Sequence, residues 1–162
     1  MRVLSVIKSM EDKYGGPPAV LKNQLSAINK DQKIISIFKY SSLSYFYLFK
    51  CILLKSYRFK IYKLLKKFDL VHFHEIWSFK VIIMVFFCNK LLIKHLFVGH
   101  GYLDTWSIEQ GRFKKKLFIR FFLQNAYFSS YASFFSTIDE YVEANKNLKV
   151  HNSFVIPNGI CI

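Results

Sequence analysis

Three places in this 162-residue chain hold groups whose type and spacing could do chemistry. Gly15-Gly16 stands directly before Pro17-Pro18. A glycine pair ahead of a proline-started helix leaves N–H groups free at a positive helix end, which suits a phosphate or a carboxylate. The plain alternative is a flexible strand-to-helix connection, and neither the Walker lysine pattern nor the spaced dinucleotide glycines accompany the pair. His72 and His74 are two residues apart, so a strand points both to one side. Two possible ligands without a third do not define a catalytic zinc, and core or rim histidines are the ordinary reading. Glu75 beside them fits a base or a satisfied surface pair equally well. His100 lies between Gly99 and Gly101. A polar ring held in a turn is poorly explained by packing, and both a functional and a structural role are open for it. Cys51, Cys88 and Cys161 are odd in number, widely spaced and outside any C-x-x-C pattern. They read as reduced thiols in a cytoplasmic protein, with no structural zinc.

Short β-rich runs alternate with longer helical ones, the pattern of parallel βαβ units. The first strand, about Arg2 to Lys8, leads through Ser9 to Tyr14 into a helix on which Val20, Leu21, Leu25 and Ile28 keep helical spacing. A second strand, Lys33 to Phe38, precedes an aromatic and basic segment, Ser41 to Phe68. Its last part puts Ile61, Leu64, Leu65 and Phe68 on one helix face and Lys60, Lys63, Lys66 and Lys67 on the other. A third strand, Asp69 to His74, stops at Glu75-Ile76-Trp77, and a helix from about Ser78 to Leu92 follows. A strand near His95 to Val98 runs into Gly99-His100-Gly101, then a basic helix, roughly Trp106 to Phe128, and a strand at Ala132 to Ser136. Thr137 and Glu140 have capping-box spacing and open a helix to about Leu148. A strand at Phe154 to Ile156 and a turn at Pro157-Asn158-Gly159 complete the series. The expected fold is α/β, a doubly wound, Rossmann-like parallel sheet of about six or seven strands. In such a sheet the loops at the carboxyl ends of the strands share one edge, so Gly15-Gly16, His74 to Trp77 and Gly99 to Gly101 converge there.

Charge narrows the partners. Lys and Arg number 24 against 10 Asp and Glu, a formal charge of +14, and aromatic residues reach 19%. Disorder and collagen-like structure are excluded by the 52% hydrophobic share. The basic runs Lys50 to Lys67 and Arg112 to Arg120 suit phosphate-rich partners. Lys114, Lys115 and Lys116 beside Phe113, Leu117 and Phe118 suggest peripheral contact with an anionic membrane surface. Nucleic acid is not expected, because only charge speaks for it and no recognition motif is present. No signal peptide is expected at the N-terminus, which reads as a strand. The apolar stretch Val81 to Val98 is interrupted by Asn89, Lys90, Lys94 and His95, far short of the ~18 uninterrupted residues that a spanning helix requires.

Taken in order, the loops resemble the amino-terminal half of the GT-B glycosyltransferases of family 4, especially enzymes that build bacterial surface polysaccharides. The resemblance rests on the first strand with Gly15-Gly16-Pro17, on Asp69 to Trp77, on His100-Gly101-Tyr102-Leu103-Asp104-Thr105-Trp106 and on Ile156-Pro157-Asn158-Gly159. It implies a retaining, nucleotide-sugar-dependent transfer in capsule, lipopolysaccharide or related polysaccharide biosynthesis. His100 would touch the donor sugar near the reaction centre, and Gly15, Gly16 and Gly101 would approach donor diphosphate and sugar. His74, Trp77, Asp104 and Trp106 would serve the acceptor side, a glycan or polyprenyl-linked molecule. No cofactor or metal is implied, because N–H dipoles and positive charge can stabilise the leaving nucleoside diphosphate. The family's aspartate after Pro-Asn-Gly-Ile is Cys161 here, and Tyr102 and Thr105 replace its usual Met and Pro. Residues 1–162 thus read as one acceptor-side domain without the donor-binding domain, either truncated or half of a split enzyme completed by a separate chain. The expected location is the cytoplasm, peripherally at the inner face of the cytoplasmic membrane. The alternative is a non-catalytic module that binds a polyprenyl-phosphate acceptor or an anionic membrane. Without a partner, poor solubility is expected.

Overall fold

Residues 1–11, 13, 15–27, 35–40 and 44–157 are described in the computed structural model of the chain. The readings above that involve Tyr14, Ile28, Lys33, Ser41, Asn158, Gly159 and Cys161 lie outside the described residues. The element order is β1 (Val3–Ile7), α1 (Gly16–Ala27), β2 (Ile35–Lys39), α2 (Tyr45–Leu53), α3 (Lys55–Leu65), β3 (Leu70–Phe73) and α4 (Phe79–Lys90). There follow β4 (Lys94–Val98), α5 (Thr105–Glu109), α6 (Arg112–Phe118), a π turn (Ile119–Leu123), α7 (Gln124–Phe128), β5 (Ala132–Phe135), α8 (Ile138–Asn147) and β6 (Ser153–Val155).

The six strands pair in parallel in the order β2-β1-β3-β4-β5-β6. Parallel neighbours need crossover helices, and the chain supplies one or more between each strand and the next. This is a Rossmann-like, doubly wound α/β fold. The order reverses between β1 and β3, so the loops leaving these two strands diverge and open a crevice at their carboxyl ends. Right-handed crossovers place α1 on one face of the sheet and the later helices on the other.

The larger core lies under those later helices. Leu4, Val6, Val71, Phe73, Phe97 and Phe135 pack there with Ile61 and Leu65 of α3, Met84 and Phe87 of α4, and Leu123 and Tyr127. Phe73, Phe97 and Tyr127 stack in series, with centroids 5.4 and 4.3 Å apart. Burying such rings stabilises each by about 2–3 kcal/mol, which fixes the helical layer on β3 and β4. The opposite face is smaller and includes Leu96, Val98 and Ala132.

The aromatic and basic segment of the sequence reading holds two helices, and the basic helix read over Trp106 to Phe128 is divided, each for a local reason. The Ser41 to Phe68 segment breaks at Leu54, whose backbone is extended (φ −103°, ψ 124°) and which serves as the cap between α2 and α3. Trp106 to Phe128 breaks at Gly111, which adopts φ 106°, a left-handed value that glycine reaches without strain. The remaining stretch, Arg112 to Phe128, is one continuous helical run with a π turn in its middle. Ile61 and Leu65 are buried while Lys60, Lys63, Lys66 and Lys67 are exposed, as the spacing of α3 requires. Among the described residues, no helix is long and apolar enough to cross a membrane.

Candidate functional site

The carboxyl ends of β1, β3 and β4 adjoin, and the loops that leave them carry the groups singled out from the sequence. His72 and His74 project from the same side of β3 and its extension, because His74 N–H still bonds Val6 C=O at 3.0 Å. Their rings lie 4.2 Å apart. His100 enters from the β4 loop and stacks on His74 at 5.6 Å, with His74 Nδ1 3.4 Å from His100 Nε2. Three imidazoles thus form a row from within the sheet to its edge.

The row is uncharged. Burial drives His72 down to about 3 and His100 to about 4, and it holds His74 well below the ordinary histidine value. A neutral ring donates through one nitrogen and accepts through the other, so His100 can hydrogen-bond a hydroxyl without bringing a positive charge. Among the described residues, Ser5 Oγ, His72 Nε2 and His74 Nε2 are buried without a hydrogen-bond partner. Ser5 and His72 face each other in register across β1 and β3.

His100 owes its place to backbone geometry. Its φ is 64° and that of Gly101 is 70°, two successive left-handed residues that turn the chain sharply after β4. The turn is tied down by Glu140 of α8, whose Oε1 accepts the Gly101 N–H at 2.5 Å and whose Oε2 accepts the Ser136 N–H at 2.6 Å. Thr137 Oγ1 accepts the Glu140 N–H at 3.1 Å, which is the first half of the expected capping box. The second half differs, since the Glu140 side chain reaches Ser136 and Gly101 and so links the loops after β4 and β5. The Gly101 N–H is consequently committed to protein, and a Cβ on Gly101 would lie 3.1 Å from Asp104 Oδ2. Gly99 is needed for the Glu140 contact, because a Cβ there would collide with the Glu140 carboxylate and lie 2.9 Å from Phe135 Cδ1.

Glu75 stands at the crevice between β1 and β3. The Tyr40 hydroxyl, at the end of β2, donates to Glu75 Oε2 at 2.5 Å, and burial raises the carboxyl despite that bond and nearby Lys8. Burial likewise raises the Tyr40 and Tyr102 hydroxyls, with the Glu75 charge adding to it. Tyr102 meets the His100 ring edge-on at 6.1 Å. Lys80 Nζ donates to Tyr40 C=O at 3.2 Å. Trp77 is half-buried against Phe118 at 6.0 Å, with Lys115 Nζ 4.8 Å above its ring and its own Nε1 without a partner among the described residues.

The remaining sequence candidates divide. Gly15 (φ 76°) precedes α1, Gly16 begins it, and among the described residues a Cβ on either would meet nothing within 4 Å, so no described residue covers the helix N-terminus there. Asp104 caps α5 with its backbone; its Oδ1 is buried without a partner among the described residues, and burial, then Glu140 and Glu143, raises its carboxyl. Trp106 is exposed on α5 and is not drawn into the histidine row. Ser5, Tyr40 and the bridging role of Glu140 escape a reading of the sequence. Tyr40 has one usable signal, its place just past a strand on the ligand-binding edge. Among the described residues no group of three or more His, Cys, Asp or Glu is disposed to hold a metal ion. Cys51 and Cys88 are buried, and burial pushes the Cys88 thiol up to about 12. No family model, curated protein or solved structure matches the chain.

Proposed function

We propose that this chain is the acceptor-side domain of a retaining, nucleotide-sugar-dependent glycosyltransferase of the GT-B kind, acting in bacterial surface-polysaccharide biosynthesis. The observation that carries the reading is the meeting of the His74–His100 pair with Glu75 and the α1 N-terminus at one switch point. The α1 dipole and the N–H groups behind Gly15 and Gly16 supply positive potential for a leaving diphosphate. His100, neutral and braced by His74, offers a hydrogen bond to the donor sugar. The acceptor, a glycan or polyprenyl-linked molecule, lies along Trp77 and Tyr102, where the buried Glu75 carboxyl is placed to take a hydroxyl proton. A donor-binding domain outside these 162 residues, in the same or a separate chain, completes the cleft, since both reactants must be held together for transfer. No metal is required by this arrangement.

The test is sugar transfer by membranes from cells in which the coding sequence has been deleted. Adding the purified chain together with its donor-binding domain and a labelled nucleotide-sugar restores incorporation into lipid-linked product, and chelator leaves the rate unchanged. His100→Asn lowers it by about 100-fold, the scale of losing one well-placed polar contact to the transition state. Asn is the informative replacement because it tolerates the left-handed backbone that the turn demands. Unchanged incorporation in the deletion membranes, or full rate with His100→Asn, would refute the reading. Acceptor binding without transfer would assign the chain instead as a binding module.

A further inference from the structure

An apolar ridge on the helical face is not used by the histidine site. Along Arg112 to Phe128, helical spacing sets Phe113, Leu117 and Phe121 in one row and Arg112, Lys116 and Arg120 in the next. Phe113 is 77% exposed and Phe121 60%. Among the described residues, none of these three cations forms an ion pair. Phe118 and Phe122 close on Phe79 at 5.1 and 5.0 Å. Phe79 in turn borders a groove of about 520 Å³ between α2 and α4, walled by Tyr45, Phe46, Ile52 and Ile83. Lys80 and Lys50 stand over the Tyr45 and Phe46 rings at 4.7 and 4.3 Å. Apolar surface therefore runs unbroken from α6 across α4 to α2, with cations along it.

Aromatic rings exposed in a row want an apolar phase, and Arg112, Lys116 and Arg120 beside them want anions. A second copy of a chain with charge +14 would set cation against cation. The interface of an anionic bilayer satisfies both needs at one depth, with rings among the upper acyl chains and cations at the phosphates. We propose that the ridge formed by Phe113, Leu117 and Phe121 with Arg112, Lys116 and Arg120 seats this protein peripherally on an anionic membrane surface. Because Phe118 also touches Trp77, the seating brings the histidine site to the edge of the membrane. The inference goes beyond sugar transfer, and its test involves none.

The chain carries its own reporter. Trp106 is 74% exposed just before α6, while the other tryptophan, Trp77, is half-buried. The full chain is sedimented with extruded vesicles of phosphatidylcholine alone and of phosphatidylcholine with phosphatidylglycerol. The expected result is binding to the anionic vesicles at least about tenfold tighter than to the neutral ones, weakened by salt, with Trp106 emission moving to the blue. Lys116→Gln weakens it about fivefold and Phe121→Ser about tenfold, with unchanged unfolding midpoints because both side chains are exposed. Equal binding to both vesicles, binding to neither, or wild-type binding by both variants would overturn the proposal. A Trp106 shift that depends on protein concentration and needs no vesicles would overturn it in favour of a second copy.

Discussion

His74 Nδ1 lies 3.4 Å from His100 Nε2, so a histidine of the sheet interior holds the ring of a histidine from the edge loop. Only one of these nitrogens can carry a proton if the pair is hydrogen-bonded, and the neutrality of both rings makes that arrangement possible. The pair is 26 residues apart in sequence and is created by the parallel pairing of β3 with β4.

Stability should fall with acid well before the carboxylates titrate. His72 (about 3), His100 (about 4) and His74 are all depressed in the folded chain, whereas in the unfolded chain they titrate near 6.5. As pH falls below about 6.5 the unfolded state takes up protons that the folded state refuses, at about 1.4 kcal/mol per pH unit for each histidine. Glu75 and Asp104, raised by burial, act in the opposite direction, and His95, lowered by burial, joins the other three histidines, so two groups oppose four. Urea midpoints at pH 7.5 and 5.5 check this, and equal midpoints would contradict the buried, neutral row.

Glu140 should matter more than a surface carboxylate. Replacing it by Gln leaves one neutral carbonyl oxygen for two backbone N–H groups, so that Gly101 or Ser136 faces an amide nitrogen instead of an acceptor, a loss of about 1.5–3 kcal/mol. Chemical denaturation of Glu140→Gln measures it. A change within error would mean that the two loops are not held by this side chain.

Two glycines make a contrasting pair. Gly15→Ala meets no atom and pays only the left-handed backbone penalty, about 1–2 kcal/mol. Gly99→Ala runs into Glu140 and the buried Phe135, which cannot withdraw, and should cost about 2–3 kcal/mol and disturb the His100 turn. Denaturant midpoints and the imidazole proton resonances of His100 separate the two. Equal costs with an undisturbed His100 signal would contradict this account.

One substitution should stabilise. α4 ends in a Schellman arrangement, with Ile93 N–H bonded to Cys88 C=O at 3.0 Å and Leu92 N–H to Asn89 C=O at 3.2 Å. Leu92 occupies the left-handed position (φ 54°) and is 91% exposed, so its side chain contributes little packing to offset the strain. Leu92→Gly should raise stability by about 0.5–1 kcal/mol, and a lowered thermal midpoint would show that the side chain is needed.

Much of the architecture is readable from local pattern. β-rich runs separated by helical spacing announce a parallel sheet, and strands β1, β3, β4 and β5 fall within about a residue of their expected places. His100 stands out for a related local reason, a polar ring flanked by two glycines. The helix breaks were harder to see. Leu54 carries no breaker signal, and Gly111 looks like one tolerable glycine in a basic helix until its φ of 106° is known.

The sequence by itself determined the alternation of strands and helices, the cationic and aromatic character of the surface, and the three loops that meet at one sheet edge. These depend on interactions within a few residues, which periodicity and turn chemistry report. Tertiary structure alone decided that His74 would brace His100, that Tyr40 would bond Glu75 and that Glu140 would reach back 39 residues to Gly101. Those contacts depend on which strands become neighbours and on how far burial removes water from their polar groups, and no local pattern encodes either.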